Sequence, residues 1–142
     1  MRNDDNTFKL YDPENTLSAL QFDFDHALNI TSQRIQAPLN IQLNIIDDPT
    51  MMQMNNQMRG KPTATDVLSQ PYDKNMGEIF ICPSFIKNQG YDLNRIIYLF
   101  IHGMLHIAGH THDHDHDFAT MRDHEIHILT QLNQPNPYHE DF

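Results

Sequence analysis

The run HGMLHIAGHTH, residues 102–112, holds the side chains of this chain best suited to chemistry. His102 and His106 stand four residues apart, so on a helix both rings leave one face and their nitrogens can meet one ion. Gly109 then lets the backbone leave the helix, where a left-handed residue is commonly required, and a returning chain brings His112 to the third position. Three neutral imidazoles leave one tetrahedral position open for water or substrate, the arrangement of a catalytic rather than a closed structural zinc. His110, His114 and His116 are also potential ligands, in a run rich in Asp that otherwise reads as a solvated, metal-scavenging loop. Asp113 or Asp115 can accept from an imidazole and fix its tautomer.

The spacing selects His112 among these neighbours, because only it completes a His, +4, +10 pattern with Gly at +7. That pattern is shared with zinc endopeptidases of signature H-E-x-x-H-x-x-G-x-x-H. Their general base follows the first ligand directly, and Gly103 stands there instead. The metal's Lewis acidity survives this change and the peptidase base does not. The expectation therefore moves from peptide hydrolysis toward chemistry in which a metal and a positive charge stabilise an anionic transition state.

The rest of the chain must position these groups. At 142 residues, with 39% hydrophobic and 20% charged side chains, it is expected to form one domain over residues 1–142, with about 133–142 a loose tail. A formal net charge of −10 argues against wholesale wrapping of nucleic acid or of an anionic membrane. The cations are uneven: Arg59, Lys61, Lys74, Lys87 and Arg95 face only Asp66, Asp73, Glu78 and Asp92 between 59 and 95. One stretch can thus admit a phosphate-bearing ligand. The most apolar run, Ile96 to Ala108, is about 13 residues against the roughly 20 of a membrane helix, so it reads as a buried helix. With the lone Cys82 and no apolar leader in MRNDDNTFKL, a reducing, cytoplasmic setting is expected, with no membrane partner.

Leu17, Leu20, Phe24, Ala27 and Leu28 recur at helical spacing and predict a helix near 13–30. Leu39, Ile41, Leu43 and Ile45 alternate with polar residues and predict a strand with one wet face. Asp48-Pro49 predicts the cap and first turn of a short helix ending at Gly60, its Met51, Met52, Met54 and Met58 filling core. Thr65–Ser69 and Glu78–Cys82 read as two strands of a hairpin, with turn signals at Gln70–Asp73 and Asn75–Gly77. Asp92 can cap a helix reaching Gly109, and a last helix is expected from about Asp117 to Leu132.

Several blocks in order resemble the YbeY-type endoribonucleases and rRNA maturation factors, whose signature is H-G-x-L-H-L-x-G-Y-D-H. HGMLHIAGHTH keeps its three His, both Gly and the first Leu, with His110 and Thr111 where Tyr and Asp are usual. MNNQMRGKPTATDVLSQP is similar to the family's N-x-x-x-R-x-x-x-x-x-T-D-V-L-S-F-P block, with Gln70 in place of Phe. GEIFIC is similar to its G-D-I-x-I strand, and MRDHEIHIL to its M-x-x-x-E-x-x-I-L helix. The resemblance implies an α+β fold, helices around a small mixed four-stranded sheet, with one Zn²⁺ or another divalent transition metal on His102, His106 and His112 at the end of a central buried helix. It also implies a single-strand-specific endoribonuclease acting on ribosomal RNA with the small ribosomal subunit, in small-subunit rRNA 3′-end maturation.

Arg59 matches the family's active-cleft arginine, a guanidinium that can offer a phosphate two parallel donors. Thr65 and Ser69 can donate to the same phosphate or serve as strand-end hydrogen bonders. The attacking group, water or a ribose 2′-OH, stays open. Two other classes compete: a metallopeptidase-like hydrolase sharing the ligand spacing, and a ribosome-assembly factor whose metal is chiefly structural.

Overall fold

Ile41, Leu43 and Ile45 bury one side of a strand that the rest of the molecule is built around. This strand is β2 (Asn40–Ile45), and in the computed structural model, which describes residues 5–111 and 114–138, it lies inside a four-stranded mixed sheet. The order is β1 (Thr7–Tyr11), β2, β4 (Met76–Ile81), β3 (Val67–Asp73). β1 and β4 run parallel to β2, and β3 pairs antiparallel with β4. The expected wet face of β2 is only partly wet. Asn44 is buried, accepts from Gln42 Nε2 at 2.9 Å and donates to Glu78 Oε1 at 3.1 Å, which satisfies it inside the sheet.

The single helix expected near 13–30 is two pieces. Asp12 accepts the N–H groups of both Thr16 and Leu17 at 2.9 Å and starts a 3-10 turn over Thr16–Leu20. The chain breaks at Gln21, with φ 49°, and the Asp23 side chain accepts from His26 N to start α1 (Phe24–Ile35). Leu17, Phe24, Ala27 and Leu28 all enter the core, so apolar spacing alone does not report the break.

α2 (Asp48–Arg59) is capped by Asp47 rather than Asp48, the Asp47 carboxylate accepting from Thr50 N at 2.9 Å. Hydrogen bonding from the Thr50 side chain, and then from its backbone N–H, holds the Asp47 carboxyl below its usual range. Met51 is buried with Leu68 and Cys82, and Met54 and Met58 pack against that cluster, but Met52 faces outward at 44% exposure, so the methionine stripe is core only in part.

The β3–β4 hairpin forms as expected, yet β3 runs on through Gln70–Asp73, where a turn was expected. β3 is an edge strand, where Pro71 forfeits no ladder bond, and a register shift between Pro71 and Asp73 absorbs the irregularity. The chain reverses after it at Asn75, with φ 57°. A short α3 (Pro83–Asn88), not expected from the sequence, follows β4. α4 (Arg95–Ile107) and α5 (Asp115–Gln131) are close to their expected bounds.

α1, α4 and α5 join the apolar face of the sheet in one core, in which the Phe100 ring meets Phe8 and Phe24 edge to face at 5.6 and 5.5 Å. α2 covers part of the opposite face through Met51. The architecture is a single α+β domain with helices on both sides of the sheet. Among the described residues no helix is long and apolar enough to cross a membrane.

Candidate functional site

α4 carries the two histidines because its other faces are committed to the core. Ile96, Ile97, Phe100, Ile101, Met104, Leu105 and Ile107 are all buried, whereas His106 is exposed and His102 partly so. Gly103 brings this helix down onto the hairpin. A Cβ there would stand 2.9 Å from Ile79 Cδ1 and 3.0 Å from Ser69 Oγ, closer than packed atoms allow. Position 103 therefore faces the sheet, and a carboxylate in the place of a peptidase base would have to displace the Ile79 and Ser69 side chains. The His102 and His106 rings lie with centroids 6.2 Å apart, within reach of one cation.

α4 ends as the sequence suggests. Gly109 adopts φ 100°, and its N–H and that of His110 return to His106 O and Leu105 O. His112, the expected third ligand, and Asp113 lie outside the described residues. Among the described residues, no three His, Cys, Asp or Glu side chains form a cation site. The ring of His110 lies 4.6 Å from that of His124, so it packs against α5 and does not line the cleft.

The cleft holds about 570 Å³ and is lined by Met58, Arg59, Thr65, Asp66, Val67, Leu68, Ser69, Gln70, His102 and His106. Arg59, separated from His102 by more than forty positions in the chain, thus shares a cavity with both histidines. It is the last residue of α2, directly before Gly60, which turns the chain with φ 67°. The buried Asn55 ties down the loop beyond Gly60: its Nδ2 donates to Thr63 O at 2.8 Å and its backbone carbonyl accepts from Lys61 N. Asp66 is tied by its backbone carbonyl to Cys82 N at the end of β4.

The carboxylate that the structure places on His102 is one the sequence reading did not single out. His102 Nδ1 meets Glu125 Oε2 at 2.6 Å, and Glu125 is fully buried on α5. The other oxygen of that carboxylate accepts the hydroxyl proton of Tyr138, whose oxygen is 3.3 Å from Tyr98 OH. Burial and the bond to Glu125 push the Tyr138 phenol far up, and burial with the Glu125 charge raises Tyr98, so both stay protonated. Tyr138 belongs to the segment expected to be a loose tail. Over 133–138 it instead folds back to close the Glu125 site.

A carboxylate on Nδ1 fixes the imidazole in the tautomer whose Nε2 carries the lone pair, the form in which histidine ligates a cation. His102 lines both the cleft and the cavity that contains Glu125, so its ring stands as a partition between them. The donor set fits a divalent transition metal: two imidazoles one helical turn apart, one of them oriented by a buried carboxylate.

The model of the family described as Endoribonuclease YbeY matches residues 5–133, nearly the whole described fold. The chain belongs to the YbeY endoribonuclease family. Among its relatives, the endoribonuclease YbeY of Francisella tularensis subsp. holarctica (strain FTNF002-00 / FTA) is 32% identical, over 70% of this chain and 72% of that protein. The one from subsp. novicida (strain U112) is 31% identical over the same shares. Among solved structures, the solution structure of TM1509 from Thermotoga maritima superimposes with a TM-score of 0.58, covering 93% of this chain and 99% of the other at 18% identity, a likeness of fold.

Within this YbeY-family cleft, sequence reasoning missed two carboxylates. Asp66 sits in the TDVLS block, and among the described residues it is the one carboxylate lining the cleft. Glu125 sits in the MRDHEIHIL block, 23 positions from the ring it holds. The block matches were the available signal, and neither residue has a local spacing rule that points to it.

Proposed function

We propose that this chain is a metal-dependent endoribonuclease specific for single-stranded RNA, acting in the cytoplasm on small-subunit ribosomal RNA during maturation of its 3′ end. One Zn²⁺ would be held by His102, His106 and His112, and Arg59 would act on the scissile phosphate. The observation that carries the reading is that one cleft gathers Arg59 with His102 and His106 in a chain of this family. Such an ion would supply Lewis acidity toward a phosphoryl oxygen and make hydroxide available near neutral pH.

The chain's own residues do the rest. Arg59 presents parallel N–H donors to the two non-bridging oxygens and compensates the charge that builds on them. Thr65 and Ser69 hydroxyls donate to the same phosphate from β3 and the loop before it. Asp66 accepts the proton of the attacking hydroxyl, whether from water or a ribose 2′-OH, a role that Gly103 cannot offer from the helix. Glu125 keeps His102 in its ligating tautomer. The acidic surface holds RNA weakly at physiological salt, so the small ribosomal subunit supplies part of the recognition.

The test is cleavage of single-stranded RNA by Arg59→Ala and Asp66→Asn, with metal content measured on the same preparations. Loss of the Arg59 donors is expected to lower kcat/KM by about 10²–10³ while zinc is retained. Cleavage at the parental rate removes the phosphate role. A protein that loses its fold on chelation and cleaves nothing would instead be an assembly factor with a structural metal.

A further inference from the structure

The cavity on the other side of His102 has a composition that the phosphate chemistry does not use. It holds about 170 Å³ and is lined by Tyr98, His102, Phe118, Met121, Glu125 and Tyr138. Pockets for drug-sized ligands run from about 300 Å³ upward, so this one suits a single planar ring. Its walls are aromatic. Phe118 meets Tyr138 edge to face with centroids 6.1 Å apart, and Tyr138 meets Tyr98 in the same way at 6.1 Å. Phe118 is 42% exposed and lies at the rim, where a stacking face is accessible.

Cationic groups flank these rings in an otherwise acidic chain. The Arg122 guanidinium stands 5.9 Å and 6.0 Å from the Phe118 and Tyr138 ring centroids, and that of Arg95 stands 4.1 Å and 5.1 Å from those of Tyr91 and Tyr98. The hydrogen-bonding sense of the floor is also fixed. Tyr138 donates to Glu125, so between the two phenols Tyr98 must donate to Tyr138, and His102 gives its Nδ1 proton to the other Glu125 oxygen. Every one of these protons is spent inside the network. What this floor offers a ligand is lone pairs, and the donors beside it belong to the flanking guanidiniums.

We infer that this aromatic cavity takes one unpaired nucleobase of the RNA strand next to the scissile phosphate, stacked on Phe118 with an amine-bearing edge turned inward. The inference rests on the nuclease reading above, since the cavity shares His102 with the cleft and one strand can engage both. Aromatic faces beside guanidinium groups are the usual platform for single-stranded nucleic acid, and a splayed-out base is what single-strand specificity needs. An acceptor-only floor favours cytosine, whose exocyclic amine offers two protons at the end of its edge, over uracil, whose single N3–H stands between two carbonyls that the floor would repel.

Two measurements test it. In the first, an abasic nucleotide is moved along a cleavable single-stranded RNA, one position at a time. One position near the cut is expected to raise KM by about five- to 100-fold, the range of one lost base–aromatic stack, and the effect should vanish in Phe118→Ala and return in Phe118→Tyr. No sensitive position, or one equally sensitive in Phe118→Ala, overturns the inference while leaving the nuclease reading intact. In the second, cytidine and uridine monophosphates are titrated against the parent protein while the ring-proton resonances of Tyr98, Phe118 and Tyr138 are followed. Shifts at those rings, at lower concentration for cytidine, support the cavity even in a protein that cleaves no RNA, a result that would sink only the nuclease reading. Absent shifts, or uridine ahead of cytidine, overturn it.

Discussion

The two walls of the cleft are built to different standards of rigidity. On one side, α4 is nearly all buried, Gly103 is seated on Ile79 and Ser69, and the His102 ring is held at 2.6 Å by a carboxylate with no solvent exposure. On the other, Arg59 is an exposed side chain at the last turn of α2, followed by a loop that one buried asparagine ties down. Metal ligation tolerates only small errors in position, whereas a guanidinium on a long stem can follow a phosphate as it moves. The difference teaches that the imidazole wall is preorganised and the arginine wall adapts.

The harshest way to break the rigid wall is to remove a proposed ligand. His106→Ala, on an exposed position, should abolish stoichiometric metal retention and RNA cleavage together while circular dichroism stays close to the parent. Retained metal in this variant would refute the assignment. Next comes the support behind the ligand. Glu125→Gln preserves shape but offers His102 the wrong partner, and loss of such an orienting carboxylate typically costs about 10- to 100-fold in metal affinity. A competition titration with a zinc-binding dye reads it directly. Gly103→Ala then tests the seat of the helix: the added Cβ is expected to cost about 1–3 kcal/mol, as overpacking does, and to lower the thermal midpoint. An unaltered midpoint would mean that α4 has more freedom than its contacts imply.

Which of these features the sequence displays depends on their locality. His102, His106 and the turn at Gly109 obey a helical period and a cap rule within a dozen residues, and the alternation of Ile41, Leu43 and Ile45 marks β2 in the same way. Asp23 and Asp47 were readable as caps but lost to neighbouring signals, since apolar spacing runs through the break at Gln21 and Pro49 draws attention to Asp48. Pro71 suggested a turn because a sequence does not say which strand will be an edge. Glu125 and Tyr138 were beyond any local rule. Their value comes from α5 and the segment after it packing beside α4, a tertiary fact.

On the adaptable side the expected effects are smaller. Asn55→Ala removes the bond to Thr63 O and frees the loop after Arg59, so KM for RNA should rise severalfold while metal content holds; equal KM would show that the loop does not position Arg59. The smallest effect concerns pH. His124 accepts from Arg34 Nε at 3.0 Å, and burial, then His110 and Arg34, press its pKa below the ordinary 6.5, with Asp123 opposing and His127 adding a little. The unfolded chain therefore binds this proton more readily than the folded one. Stability should rise with pH through the window just below 6.5 and fall away on acidification. In His124→Gln the urea midpoint should decline less between about pH 7.5 and pH 5.5 than in the parent, and an identical decline would remove His124 from the account.

The edge strand β3 forms part of the cleft, and it carries Pro71 and a shift of register at the far end from Val67. Both features discourage a foreign strand from adding to that border. A sheet margin that cannot be extended stays accessible, so on the proposed function the border that would admit a flexible polynucleotide is also the one least open to annealing with a second polypeptide.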